Sequence, residues 1–125
     1  MPEGSCLCGA VAFVTGDPVK APAACHCSQC RKISGHYWAA LLVDGAALRL
    51  IRDDGLRWFQ SSENTRRGFC SRCGTPLFWD HAGEDTISVS MGAFDAPTGL
   101  TLRKHIHCAS KGDYYALTDG VPQEP

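Results

Sequence analysis

Seven of the eight cysteines fall in three tight groups, Cys6-x-Cys8, Cys25-x-Cys27-x-x-Cys30 and Cys70-x-x-Cys73. Four thiolates close a tetrahedral structural zinc site, while three leave the fourth vertex free for water or substrate. Seven thiols therefore suit two metal sites, one of them open. Phe69-Cys70-Ser71-Arg72-Cys73-Gly74 has the form of a zinc knuckle, in which a glycine lets backbone amides turn toward the sulfurs. Such a pair needs two further thiolates, and Cys6-x-Cys8, with Gly9 after it, supplies them if the N-terminal strand lies alongside. Cys25, Cys27 and Cys30 are then a local tripod, too compact to share ligands with two distant elements. One four-thiolate site with three spare cysteines is the rival partition. Zinc is favoured over iron, because the spacings do not follow the ferredoxin runs.

Other groups near the clusters have less specific meanings. His26 lies between two expected ligands, which turns its side chain away from the metal, so it reads as a supporting group or a fourth ligand. Arg31, Lys32 and Ser34 follow the tripod at once and are candidates to contact whatever the open site binds. Charge balance for the zinc site is their other reading, and Arg66, Arg67 and Arg72 share it. His105, after Arg103-Lys104, is the most notable of the remaining histidines. Cys108 is the odd cysteine, read as a small buried hydrophobe.

The elements that must carry these groups are short. Of 125 residues, 44 % are apolar and 20 % charged, which fits one globular domain with a modest core. Expected strands are Gly9–Thr15, His36–Val43, Ala47–Ile51, Leu56–Ser61, Thr86–Met91, Lys104–Cys108 and Tyr114–Leu117. Asp44-Gly45 reads as a hairpin turn and Asp53-Asp54-Gly55 as a second turn. The best helical candidate is Ser28–Ser34, and no longer helical period exists. The fold class is mainly β, with short antiparallel sheets around zinc and little helix. Residues 1–117 form a single zinc-binding β domain, and the Pro/Gly/acidic segment 118–125 is expected to be loose.

A formal net charge of −1 argues against a nucleic-acid binder driven by bulk electrostatics. The N-terminus carries no basic region followed by an apolar run, and no stretch reaches the roughly 20 apolar residues of a membrane span. A cytoplasmic location is expected, where thiols stay reduced and such clusters mean metal more often than disulfides.

In context, the clusters read Gly4-Ser-Cys-Leu-Cys-Gly-Ala-Val11, Cys25-His-Cys-Ser-Gln-Cys-Arg-Lys-Ile-Ser-Gly35 and Phe69-Cys-Ser-Arg-Cys-Gly-Thr-Pro-Leu77. Together with Met91-Gly-Ala-Phe-Asp95 and Lys104-His-Ile106, they resemble the glutathione-dependent formaldehyde-activating enzyme family, which also includes centromere protein V. The resemblance runs from about Gly4 to Tyr115. It implies a zinc-bound antiparallel fold of the β-tent type. It also implies a structural zinc on Cys6, Cys8, Cys70 and Cys73, and a catalytic zinc on Cys25, Cys27 and Cys30. The implied activity is that of a carbon–sulfur lyase working in reverse, condensing formaldehyde with glutathione to S-hydroxymethylglutathione.

Expected partners are thus a small thiol and an aldehyde, with neither nucleic acid nor membrane. A non-catalytic carrier of glutathione, a structural interaction module, and an enzyme of the same fold using another thiol or aldehyde are the alternatives. The sequence leaves the oligomeric state open.

Overall fold

The structure is a computed structural model describing residues 2–125, and two sheets organise it. The small sheet has the order β1-β2-β5, from Glu3–Ser5 (β1), Ala12–Val14 (β2) and Arg49–Arg52 (β5). The large sheet contains Pro18–Cys25 (β3), Trp38–Asp44 (β4), Leu56–Ser62 (β6), Thr65–Cys70 (β7), Pro76–His81 (β8), Thr86–Ser90 (β9) and Lys104–Ile106 (β10). Its order is β10-β3-β4-β9-β8-β7-β6. All of its neighbours are antiparallel except β10 and β3, which run parallel. The mainly β expectation therefore holds, and the one α-helix among the described residues, Ser28–Ser34 (α1), occupies the residues expected of it.

Strand alternation gives the large sheet two different faces. Leu41 and Val43 of β4, Ile87 and Val89 of β9 and Phe78 of β8 point into the core. Phe13 of the small sheet closes that core, its ring 5.2 Å from Phe78 in an edge-to-face contact. The alternate residues point the other way. Trp38, Ala40 and Leu42 of β4, Ser88 of β9 and Trp79 of β8 line a cleft with Ala21 and Ala23 of β3. Small side chains at Ala21, Ala23, Ala40 and Ser88 leave the middle of this face hollow, with the two tryptophans as its walls.

Three local expectations need correction. Asp44-Gly45 does not make a hairpin: the Asp44 carboxylate accepts from the Ala46 amide, and a 3₁₀ turn, Gly45–Ala47, sends the chain to the other sheet. β4 then pairs with β3 and β9, whereas β5 pairs with β2. Tyr114–Leu117 is not a strand. Residues 118–125, expected to be loose, run beside β10. The His105 amide donates to Pro122, the Glu124 amide to His105 and the Cys108 amide to Glu124, at 2.8, 2.9 and 3.0 Å. Lys104 and Glu124 add an ion pair at 2.8 Å. Periodicity could not reveal this pairing, because a segment with Pro122 and Pro125 has no alternating apolar face.

Candidate metal centres and the cleft beside them

Two β-turns, distant in sequence, meet at the first cluster. Cys6 and Cys8 lie between β1 and β2, while Cys70 ends β7 and Cys73 lies between β7 and β8. Each pair is followed by a glycine at φ +82°, Gly9 and Gly74, a left-handed conformation that glycine adopts at little cost. The Gly9 amide then donates to Cys6, and the Gly74 amide to Cys70. Thr75 joins the two turns: its hydroxyl accepts from the Leu7 amide at 3.1 Å and lies 3.2 Å from Cys73 Sγ. That hydroxyl and nearby amides hold the Cys73 thiol down to about 5.

The four sulfurs lie within 4.8 Å of one another. Sγ of Cys8 is 3.7 Å from that of Cys6 and 3.8 Å from that of Cys70. A disulfide would need about 2.05 Å. Four sulfurs bonded at about 2.3 Å to one tetrahedral ion would stand about 3.8 Å apart, so the set fits a closed metal site. Cys6 and Cys70 are 3 % and 0 % exposed and belong to the core cluster, which ties this site to the fold.

Gly55 packs so tightly here that a Cβ would stand 2.8 Å from Cys70 Sγ and 3.0 Å from the Ala10 Cβ. We expect Gly55→Ala to destabilise the domain by roughly 1–3 kcal/mol through overpacking. It should weaken metal binding at this cluster before the other. Denaturant melts paired with metal content would check this, and an unchanged midpoint would contradict it.

Cys25, Cys27 and Cys30 form the second group, with all sulfurs again within 4.8 Å. Cys25 ends β3 and Cys30 lies in the first turn of α1. Cys27 is the N-cap of that helix, and its Sγ accepts from the Cys30 amide at 3.4 Å. Cys30 holds the Cys25 thiol down to about 5, and the same partnership, with burial, pushes Cys30 up. Three acceptor sulfurs this close compete for protons, an arrangement that a divalent cation would relieve.

This group lies in the cleft, which has a volume of about 290 Å³ and is lined also by Trp38, Trp79, Ile106, Arg67, Arg103 and His107. Arg67 of β7 is 8 % exposed, with Nη2 3.7 Å from Cys30 Sγ and Nε donating to Gln29 at 3.2 Å. Its Nη1, and Nε1 of the cleft-lining Trp38, are buried without acceptors among the described residues. Among the described residues, no carboxylate lines the cleft.

The residues expected from sequence divide clearly. Both cysteine groups converge in the predicted partition. Arg31, Lys32 and Ser34 do not line the cleft. Ser34 Oγ donates to the Cys30 carbonyl at 2.7 Å and accepts from the His36 amide, so it closes the helix C-terminus instead. Arg66 pairs with Asp80 at 2.9 Å and stacks on Trp58, and Arg72 is exposed. Cys108 is half-buried and belongs to neither group. His26 has both ring nitrogens engaged, Nδ1 with Tyr115 and Nε2 with His105, which leaves none for a metal. The cleft's basic residues, Arg67, Arg103 and His107, were missed as a group. Only strand register brings them together, and the nearest hint in the sequence was the position of Arg67 before Cys70.

The model of the family described as "Glutathione-dependent formaldehyde-activating enzyme" matches residues 1–110. The chain belongs to that family. A curated relative from Halomonas elongata, named "Putative glutathione-dependent formaldehyde-activating enzyme", is 36 % identical over 92 % of this chain and 80 % of its own length. A Rhodobacter sphaeroides protein of known crystal structure shares the fold, with a TM-score of 0.65 at 22 % identity, over 75 % of this chain and 88 % of that one. Family membership supports glutathione-dependent formaldehyde activation, and the two sulfur groups are compatible with the metal sites that the sequence motifs suggested. Among the described residues, no helix is long and apolar enough to cross a membrane.

Proposed function

We propose that the protein joins a small anionic thiol, of which glutathione is the family's example, to an aldehyde such as formaldehyde, and that it also catalyses the reverse cleavage. The observation that carries this reading is the three-sulfur group in a cleft that Arg67 and Arg103 also line, with no carboxylate among its described lining residues. Cys6, Cys8, Cys70 and Cys73 would hold a structural zinc, and Cys25, Cys27 and Cys30 a second one with a free position. Zinc there would supply Lewis acidity that lowers the pKa of a sulfur brought beside it.

The chain's own residues do the rest. Arg103 attracts substrate carboxylates and His107 beside it can donate a hydrogen bond to them, while Trp38, Trp79, Leu42 and Ile106 exclude water from the reacting atoms. Arg67 offsets the negative charge of the three sulfurs. The substrate sulfur donates a lone pair to the carbonyl carbon, a C–S bond forms, and the C=O π pair moves to oxygen. The buried donors Arg67 Nη1 and Trp38 Nε1 are assigned to that developing alkoxide. The proton lost by the thiol ends on this oxygen, so the reaction is neither an oxidation nor a reduction.

Adduct formation from formaldehyde, followed by NMR above the spontaneous rate, tests the proposal with glutathione, 3-mercaptopropionate and cysteamine. We expect turnover with the two carboxylate-bearing thiols and at least about tenfold lower kcat/KM with cationic cysteamine, the worth of one charge-assisted contact. No rate above the spontaneous one with any thiol would sink the enzyme reading and leave a thiol carrier. Equal rates with all three would sink the anionic preference alone.

A further inference from the structure

Beside the tripod, two buried histidines, the half-buried Tyr115 and the exposed Asp119 form one unbroken hydrogen-bond chain. Asp119 Oδ2 lies 2.8 Å from His105 Nε2, His105 Nδ1 lies 2.9 Å from His26 Nε2, and His26 Nδ1 lies 2.7 Å from the Tyr115 hydroxyl. Both histidines are 0 % exposed. With neutral rings, every link has one donor and one acceptor. The carboxylate accepts from His105 Nε2–H, His105 Nδ1 accepts from His26 Nε2–H, and His26 Nδ1 accepts from Tyr115 O–H. His36 and Tyr37 pack against the same rings, and Lys111 Nζ stands 4.9 Å from the Tyr115 ring centre.

The backbone repeats this connection. Residues 122–125 pair along β10, with a parallel bridge between His105 and Gln123. β10 pairs in turn with β3, Ile106 standing opposite Cys25, and the His26 amide donates to Ile106 at 3.0 Å. The C-terminal segment thus reaches the sulfur group twice, through the sheet and through the imidazoles. It also lies beyond residues 1–110, the part matched by the family model.

We infer that residues 118–125 are a strap that positions the three-cysteine site, with Asp119 and His105 acting on Cys25 and Cys27 through His26. Both nitrogens of His26 are held, so its ring is fixed, and the backbone carrying the flanking cysteines is fixed with it. Removing the carboxylate strands His105 Nε2–H in a buried place and frees the chain at its anchored end. The inference rests on the reading that Cys25, Cys27 and Cys30 hold a metal.

Zinc-competition titrations on the full chain test it, with Asp119→Leu and Asp119→Asn beside the parent. Asp119→Leu should bind the second zinc about 10–100-fold more weakly, the usual effect of removing such a supporting group. The first zinc, on the core cluster, should be unchanged. Asp119→Asn keeps an acceptor oxygen and should behave like the parent. The slowly exchanging His105 Nε2–H proton should be visible by NMR in the parent and the Asn variant, and lost in the Leu variant. Asp119→Ser, whose hydroxyl is too short to reach the ring, replaces the Leu variant if that does not fold.

Equal affinity for the second zinc in the Leu variant and the parent would overturn the strap, as would an equal weakening of both zincs. A parent that binds one zinc overturns the metal reading and, with it, the strap's role. Two zincs in the parent with an unaffected Leu variant overturns the strap alone.

Discussion

Cys73→Ser is expected to unfold the domain, while Cys27→Ser should lose one metal and stay folded. The asymmetry comes from where the two sulfur groups sit. Cys6 and Cys70 belong to the core cluster with Val11, Phe13 and Leu77, so the first site joins the small sheet to the large one. Structural zinc in zinc-finger peptides has an apparent binding free energy of about 10–16 kcal/mol, comparable with the whole stability of a small domain. With zinc held there, losing one of the four sulfurs would remove much of that and leave the buried Cys6 and Cys70 sulfurs without a partner. Cys27 instead sits at the end of α1 beside the cleft, where its Sγ accepts from the Cys30 amide. Serine is a favoured N-cap, so Cys27→Ser keeps that bond and should change stability by no more than about 1 kcal/mol. Metal content and denaturant melts decide the matter. Equal loss of stability in both variants would mean that the two sites do not divide structure from chemistry.

That contrast also marks how far the sequence could be read. Ligand grouping was legible because Cys25, Cys27 and Cys30 are local, and because each remaining pair carries its own glycine turn. The α1 bounds were legible for the same reason, with Cys27 before the helix and Gly35, at φ +80°, after it. What failed depends on register. Arg67 stands opposite Trp79, Trp79 opposite Ser88 and Ser88 opposite Leu42, one row across four strands that builds the cleft floor. No spacing along the chain encodes that row. Arg31, Lys32 and Ser34 were chosen for being next to the tripod in sequence, and they lie on α1 outside the residues that line the cleft. The Asp44-Gly45 turn misled for a related reason. Its residues suit a hairpin, but the strand after it finds a better partner in β2 than in β4.

Arg67→Leu should show the second large effect, as a loss of metal and turnover rather than of fold. Arg67 is the cleft cation buried to 8 % exposure, and its Nη2 lies 3.7 Å from Cys30 Sγ. Leucine fills the space apolarly beside Trp38, whose ring centre lies 5.9 Å from the guanidinium carbon, so the strand should still pack. Cys30 Sγ, however, loses the cation beside it that favours its ionised form. A thiolate next to a cation has a lowered pKa, so removing the cation raises it, and protons then compete better with metal. The sign follows directly: the pH at which half of the second metal is released must move upward. A hydrogen bond to a charged group is worth about 1.5–3 kcal/mol, which corresponds to roughly 10–100-fold weaker binding at neutral pH. Arg67→Lys should fall between the two, because it keeps the charge but cannot reach Gln29 and Cys30 with one planar fork. Metal competition across pH on the three proteins provides the measurement. If Arg67→Leu released its second metal at the parent's pH and kept its turnover, Arg67 would be a packing residue, and the charge balance of the site would have to come from Arg103, the cleft's other arginine.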